Sequence, residues 1–201
     1  MPQTFDQASI NYYDENSRAF VVDTYQVDMD QLYEPFLSCI PEGGRILDLG
    51  CGSGRDTKYF MDKSYEVVAI DASEKMVEAT KRLANANVLQ LRFDQMKFEN
   101  EFDGIWACAS LLHIPEKALK DVLELCLHAL RPTGVIYASF KYGSAQRFEK
   151  GRLFTDFNEE KLNFLVSLLA HNLSLSHWVT QDVRPDRNNE KWINALFKLR
   201  G

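Results

Sequence analysis

A short glycine-rich segment is the part of the chain whose residue types and spacing point most directly to chemistry. It follows an apolar run and reads Ile46-Leu-Asp48-Leu-Gly50-Cys-Gly52-Ser-Gly54-Arg-Asp56. Glycines let the backbone turn tightly and approach a ligand with no Cβ in the way. A helix is predicted directly after the glycines, and the N–H groups of its first turn favour a carboxylate or a phosphate. The segment therefore predicts a binding loop for a small molecule.

The glycine spacing does not match three other motifs. A dinucleotide-binding GxGxxG starting at Gly50 would need a small residue where Arg55 stands, and one starting at Gly52 would need glycine where Thr57 stands. No Gly-Lys-Ser/Thr follows the glycines, which excludes a phosphate-binding P-loop. Ser53 lacks a glycine two residues before it, so the segment is not the nucleophile elbow of a hydrolase.

Predicted strands and helices alternate along the chain and place this loop. Strands are predicted at 45–49, 65–70, 88–92, 102–109, 135–140, 173–181 and 191–199, and helices at 12–25, 29–39, 55–63, after Ser73, at 115–130 and at 158–170. The alternation predicts an α/β fold, a doubly wound, Rossmann-like sheet of seven mainly parallel strands with helices on both faces. Because no helix separates the last two strands, the last strand is expected to run antiparallel. Ligands of such sheets bind at the carboxyl ends of the strands, where the strand order reverses.

Length and composition indicate a globular protein. The 201 residues are 45% hydrophobic and 26% charged, and we expect a single domain with a helical N-terminal extension at 1–44 and a core at 45–201. No apolar run approaches the ~20 residues that a membrane-spanning helix needs. The acidic, polar first residues do not resemble a secretory signal. We therefore expect a cytoplasmic protein without membrane contact.

The counts of cysteine, histidine and charged residues limit which metals and partners the protein is expected to bind. The four cysteines form no CxxC pair and the four histidines form no metal-binding cluster, so neither a disulfide framework nor a metal site is expected. The formal net charge of −6 argues against an extended nucleic-acid interface. Residues 1–130 hold 12 Lys and Arg against 22 Asp and Glu, whereas residues 131–201 hold 11 against 7. The excess of positive charge in residues 131–201 predicts either that an anionic substrate approaches this part of the chain or that these charges form an ordinary solvated surface. The oligomeric state stays open.

The glycine segment and the acid that follows it resemble a known family. From about Tyr12 to the C-terminus the sequence is similar to the class I S-adenosylmethionine-dependent methyltransferases, which carry the loop D-x-G-x-G-x-G seen at 48–54. Asp71 ends the next predicted strand, 23 residues after Asp48, where a carboxylate can accept hydrogen bonds from both ribose hydroxyls. The stretch LDLGCGSGRDTKYF is similar to small stand-alone and tellurite-resistance-type members. The resemblance implies methyl transfer, with S-adenosylhomocysteine as the product.

The resemblance also implies a set of cofactor-binding residues. Asp48 would orient the loop, Ala72 and Met76 would border the adenine, and a segment with Tyr13 and Arg18 would fold over the cofactor. Relatives often carry an acid where Arg92 stands, so Asp94 would take over the adenine contact. The full expected set is Tyr13, Arg18, Asp48, Gly50, Cys51, Gly52, Gly54, Arg55, Asp71, Ala72, Met76, Phe93, Asp94 and Ala107.

For the acceptor, a small molecule is expected, RNA and protein acceptors stay open, and the resemblance implies one candidate general base. His113 follows the fourth predicted strand, where similar enzymes place a histidine beside the acceptor, although a histidine bonded to backbone at a helix entry is the structural alternative. Cationic and aromatic residues after the fifth strand predict a pocket for an anion, and tellurite or a related oxyanion is one acceptor that the resemblance suggests. The expected acceptor residues are Lys141, Tyr142, Arg147, Arg184 and Trp192, with Arg152, Phe154 and Arg187 nearby. The rival function is a sensor that binds S-adenosylmethionine without turnover.

Overall fold

A computed structural model describes residues 7–169, 172–184, 187 and 189–200. The helices are α1 (Gln7–Thr24), α2 (Asp30–Leu37), α3 (Arg55–Asp62), α4 (Glu74–Ala84), α5 (Glu116–Ala129) and α6 (Glu159–Ser167). The strands are β1 (Arg45–Leu49), β2 (Glu66–Asp71), β3 (Asn87–Gln90), β4 (Phe102–Ala107), β5 (Leu130–Lys141), β6 (Gln146–Glu149), β7 (Arg152–Thr155), β8 (Leu173–Gln181) and β9 (Lys191–Leu199).

Seven strands form one sheet in the order β3-β2-β1-β4-β5-β9-β8. Strands β1 to β5 pair in parallel, and β9 runs antiparallel to both β5 and β8. The predicted seven-stranded, mainly parallel sheet with an antiparallel last strand is therefore confirmed. The strand order reverses between β1 and β4, so the carboxyl ends of these two strands flank the position where ligands of such sheets bind.

Local sequence explains where the elements begin and how they pack. The Ser73 hydroxyl caps α4 by accepting from the Met76 amide at 3.1 Å, and the Asn158 side chain caps α6 in the same way. Strand β1 is buried from Ile46 to Leu49, as expected of a strand covered on both faces. On the face covered by α2, the Trp106 and Tyr137 rings of β4 and β5 stack at 3.9 Å.

A hairpin of β6 and β7 is the main element that the sequence analysis did not predict. Its two four-residue strands are joined by Lys150 and Gly151, whose φ angles are +50° and +79°. Two positive φ angles are typical of a tight hairpin turn. The strands were hard to recognise because they are short and rich in charged residues, so that apolar alternation is hardly visible.

Helix α1 lies across the carboxyl ends of the strands and bonds to both sides of that edge. On one side the Asp14 carboxylate accepts from the Ser73 hydroxyl at 2.6 Å and from the Lys75 amide at 3.2 Å. On the other side the Ser9 hydroxyl accepts from the Leu153 amide of β7 at 3.2 Å. The helix thus bridges the start of α4 and the hairpin. Among the described helices, none is both long and apolar enough to cross a bilayer.

Candidate functional site

A cavity of about 570 Å³ opens at the carboxyl ends of β1 and β4, beneath α1. Two groups of residues line it. The glycine-loop half is lined by residues that include Gly50, Cys51, Gly52, Arg55, Asp71, Ala72, Met76, Phe93, Asp94 and Ser110. The C-terminal half is lined by residues that include Lys141, Arg152, Phe154, Asp182, Arg184, Glu190 and Trp192. Tyr13 and His113 also line the cavity.

The glycine loop is held in a conformation that other residues rarely adopt. Gly50, Gly52 and Gly54 have φ angles of +86°, +54° and +83°. The amides of Gly50 and Cys51 both donate to the Ile70 carbonyl, which fixes the loop to the end of β2. A Cβ at Gly50 would lie 2.6 Å from the Ser110 Cβ, and a Cβ at Gly52 would lie 3.2 Å from the Phe20 ring of α1. At Gly50 and Gly52 the loop therefore presents backbone to the cavity.

The Asp71 carboxylate stands beside this loop with bonding capacity left. One oxygen accepts from the Gly52 amide at 3.0 Å and the other from the Ser73 amide at 2.9 Å. Burial raises the pKa of Asp71 to about 6, although these two amide bonds favour the charged form. Because an ionised carboxylate can accept about four hydrogen bonds, each oxygen can take one more donor, such as a hydroxyl of a bound ligand.

A second polar group in this half has no bonding partner. The Ser110 side chain is 7% exposed, lies against Gly50, and its hydroxyl has no hydrogen-bond partner. Buried hydroxyls are normally bonded, so this enclosed hydroxyl keeps unused bonding capacity beside the glycine loop. Sequence analysis gave Ser110 no role, and its position just after β4 was the available signal.

An aromatic and ionic cluster below the loop fixes the start of α3. The Asp56 carboxylate accepts from the Nε and Nη2 of Arg55, from the Tyr33 hydroxyl and from the Trp106 indole at 2.8 Å. Burial opposes its charge, but Arg55 and these bonds hold the pKa of Asp56 below its ordinary value. The neighbouring Asp48 accepts from a threonine hydroxyl in α3, and burial raises its pKa to about 8. This cluster orients Arg55 at the edge of the cavity.

His113 is bonded at both ring nitrogens. Its Nδ1 lies 2.6 Å from the Leu153 carbonyl and its Nε2 lies 2.8 Å from the Tyr13 hydroxyl. Since a carbonyl can only accept, Nδ1 carries the proton and Nε2 accepts from Tyr13. Burial lowers the pKa of His113 to about 4, so the ring is neutral near pH 7. In this arrangement His113 positions Tyr13 of α1 rather than offering a free basic nitrogen.

Most of the cations in the C-terminal half are neutralised by carboxylates. Lys141 bonds to Glu190, and Arg184 bonds to Asp182, which also accepts from the Trp192 indole at 3.0 Å. Lys141 lies 5.5 Å and 5.8 Å from the centres of two aromatic rings as well. Lys141, Arg184 and Trp192 line the cavity, as expected. The two cations are paired with carboxylates in the cavity wall, however, and a count of positive residues in the sequence does not reveal this pairing.

Several expected site residues lie outside the cavity lining. Arg18 is exposed on α1, and Gly54 packs against Thr80. Tyr142 is 42% exposed and bonds to Glu159. The others that do not line the cavity are Asp48, Ala107 and Arg147, the last of which bonds to Asp156 and Glu149. Asp94 lines the cavity but is bonded by Arg92.

Within the described ranges, no group of three or more His, Cys, Asp and Glu residues is placed to hold a metal ion.

Sequence comparison finds relatives among methyltransferases. Residues 46–134 match the family model Methyltransf_25, described as a methyltransferase domain. The putative methyltransferase YqeM of Bacillus subtilis (strain 168) is 32% identical over 124 residues. The match covers 56% of this chain and 50% of YqeM, so the chain spans about half the length of that relative.

Structural comparison finds the same fold in solved proteins. The Burkholderia thailandensis 1,6-didemethyltoxoflavin-N1-methyltransferase, solved with 1,6-didemethyltoxoflavin and S-adenosylhomocysteine, superposes with a TM-score of 0.77 at 21% identity, covering 100% of this chain and 91% of that one. A TehB-like S-adenosylmethionine-dependent methyltransferase from Corynebacterium glutamicum gives a TM-score of 0.68 at 19% identity, covering 96% and 99%. At these identities the likeness establishes the fold.

Proposed function

We propose that this chain, which resembles the class I S-adenosylmethionine-dependent methyltransferases in its fold and in its match over residues 46–134, transfers a methyl group from S-adenosylmethionine to a small anionic acceptor. The proposal rests on the arrangement of groups in the glycine-loop half of the cavity. A backbone cradle there faces a carboxylate and an unbonded buried hydroxyl, all within one cavity. The product would be S-adenosylhomocysteine.

The residues of the glycine-loop half fit this cofactor. Asp71 suits the two ribose hydroxyls, because each of its oxygens keeps bonding capacity beside the loop. Met76 and Phe93 offer apolar surface for an adenine ring. Arg55 is a cation that lines this half beside the loop and suits a methionine carboxylate, although it already bonds to Asp56. These assignments use groups that point to the cavity and leave Arg18 without a role.

The chain's own contribution to the reaction is alignment and enclosure. When bound, the cofactor supplies a methyl group on a sulfonium, whose departure as a thioether needs no acid. The protein therefore has to hold the acceptor in line and exclude water. Helix α1 covers the cavity and is bonded to α4 through Asp14 and to the hairpin through Ser9. Tyr13, whose hydroxyl is held by His113, lines the same cavity.

A general base is needed only if the acceptor has a proton to lose. His113 would serve as that base only after Tyr13 leaves its Nε2, since both nitrogens are bonded. An acceptor whose reacting atom is already deprotonated reacts without this step. The neutral, doubly bonded state of His113 therefore favours an acceptor whose reacting atom carries a lone pair without needing deprotonation.

Calorimetric titration with S-adenosylmethionine, S-adenosylhomocysteine and NAD tests the cofactor assignment. We expect the two sulfur compounds to bind and NAD not to bind. Binding of NAD alone would contradict the proposal, because the glycine spacing would then serve a dinucleotide.

Turnover separates the enzyme from the sensor that would bind the cofactor without reaction. The protein is incubated with isotopically labelled S-adenosylmethionine and a panel of small carboxylates, phenols, thiols and tellurite, and the labelled product is sought by mass spectrometry. Gly52→Val serves as the matched control, because it keeps the acceptor side and obstructs the loop. Labelled product from the wild type and none from the control supports transfer. Binding without product across the panel supports the sensor.

A further inference from the structure

The cations around the cavity fall into two groups. Each member of the first group is bonded to a carboxylate: Arg55, Arg92, Lys141 and Arg184. In the described part of the chain, Lys150, Arg152 and Arg187 line the cavity without such a bond. Of these three, Lys150 is exposed, and Arg152 is the one that contacts aromatic rings. Arg152 therefore combines an uncompensated charge with a fixed position.

The contacts of Arg152 fix its guanidinium without using up its donors. The group lies 4.2 Å from the centre of the Tyr12 ring and 5.0 Å from that of Phe154. Its Nη1 donates to the Tyr13 hydroxyl at 3.4 Å, which is a long bond, and its Nε is buried with no hydrogen-bond partner. A guanidinium donor enclosed without an acceptor is costly, which marks Arg152 as a side chain with unused bonding capacity.

We propose that Arg152 is the anion-binding residue of the acceptor site and that it holds the carboxylate of a flat, aromatic acceptor. A guanidinium matches a carboxylate with two parallel donors, which a lysine does not. The rings of Tyr12, Phe154 and Trp192 supply the surface for a flat apolar body. This assignment rests on the proposed function only in naming the bound anion as the methyl acceptor.

The same residue connects the acceptor to helix α1. Arg152 contacts Tyr12 and Tyr13 of α1, while its neighbour Leu153 bonds to Ser9 and His113. An anion on Arg152 would therefore lie next to the helix that covers the cavity. The hairpin of β6 and β7 carries Arg152, so this role explains why the hairpin lies beside the cavity.

The test measures binding of simple anions, so the natural acceptor need not be known. Benzoate and inorganic phosphate are titrated at constant ionic strength, with chloride as the balancing anion, into the protein with and without saturating S-adenosylhomocysteine. The variants are Arg152→Met, which keeps an apolar stem, and Arg152→Lys, which keeps charge. Arg131→Met is the matched control, since Arg131 is an exposed arginine bonded to Asp103 and does not line the cavity.

We expect benzoate to bind the wild type and the Arg131→Met control equally. Its dissociation constant should rise about tenfold or more in Arg152→Met, as for loss of a hydrogen bond between charged groups, and less in Arg152→Lys. Equal benzoate binding in wild type and Arg152→Met, or none in the wild type, would overturn the inference. Tighter binding of phosphate than of benzoate would overturn the carboxylate assignment.

Titration with S-adenosylhomocysteine separates this inference from the proposed function. Unchanged affinity for S-adenosylhomocysteine in Arg152→Met shows that the variant is folded and that its defect is confined to the acceptor side. If the wild type does not bind S-adenosylhomocysteine, the proposed function fails, whereas the benzoate titration without it still decides the role of Arg152.

Discussion

The two halves of the cavity are built in different ways. The glycine-loop half takes most of its polar groups from one stretch of chain, from β1 to the start of α4, and much of its lining is backbone. The C-terminal half combines side chains from β5, the hairpin, and the segment between β8 and β9. Its charges largely cancel in ion pairs with Glu190 and Asp182. The first half can therefore be recognised from spacing, whereas the second depends on which distant side chains the topology brings together.

A valine at the centre of the loop should have the largest effect. In Gly52→Val the side chain would begin at a Cβ 3.2 Å from the ring of Phe20, which also lines the cavity, and at a φ of +54°. We expect affinity for S-adenosylhomocysteine to fall by at least about 100-fold, or about 2.7 kcal/mol. Calorimetry measures the loss.

The matched control for this variant is Gly43→Val. Gly43 has a φ of +68°, but a Cβ there would meet nothing closer than 3.9 Å, and the residue does not line the cavity. It reproduces the backbone strain without the obstruction, so it should lower the thermal midpoint while keeping cofactor affinity. Equal loss of affinity in both variants would mean that strain, not obstruction, explains the result.

Removing the carboxylate beside the loop should have the next largest effect. Asp71→Ala removes the acceptor for two ligand hydroxyls and for the Gly52 and Ser73 amides. Hydrogen bonds to a charged group contribute about 1.5–3 kcal/mol, so affinity should fall by roughly 10- to 150-fold. Titration calorimetry at pH 8 tests this, with circular dichroism as the check on folding. Wild-type affinity in a folded Asp71→Ala protein would remove Asp71 from the ligand site.

The fold was easier to predict than the site for physical reasons. Strands β1, β2, β4 and β5 are short apolar runs between clear helix signals, so their alternation was sufficient to predict the sheet. The loop could be predicted because glycine φ angles and a nearby acid are local properties. By contrast, the ion pair of Lys141 with Glu190 joins residues 49 positions apart, and the bond between His113 and Tyr13 joins residues 100 apart. No local spacing encodes such pairs, and they decide which charges remain for a ligand.

A change in pH should reproduce part of the Asp71 effect in the wild type. Burial raises the pKa of Asp71 to about 6, and hydroxyl donors from a ligand favour the ionised form. Binding therefore releases a proton, and affinity decreases as the pH falls through about 6. We expect affinity for S-adenosylhomocysteine to be about tenfold lower at pH 5 than at pH 8 if only the ionised form binds. The dependence should vanish in Asp71→Ala, and its persistence there would assign it to another group.

The smallest expected change concerns His113, at the boundary between the two halves. Burial lowers its pKa to about 4, and its Nδ1 proton is held by the Leu153 carbonyl. Nitrogen-15 chemical shifts of the imidazole should therefore show a protonated Nδ1 and an unprotonated Nε2, with no titration between pH 8 and 5. Tyr13→Phe removes the donor to Nε2 and should alter the Nε2 shift while leaving Nδ1 protonated. A His113 that titrates near pH 6.5 would instead be exposed and basic, and it would regain the role of general base that its position after β4 first suggested.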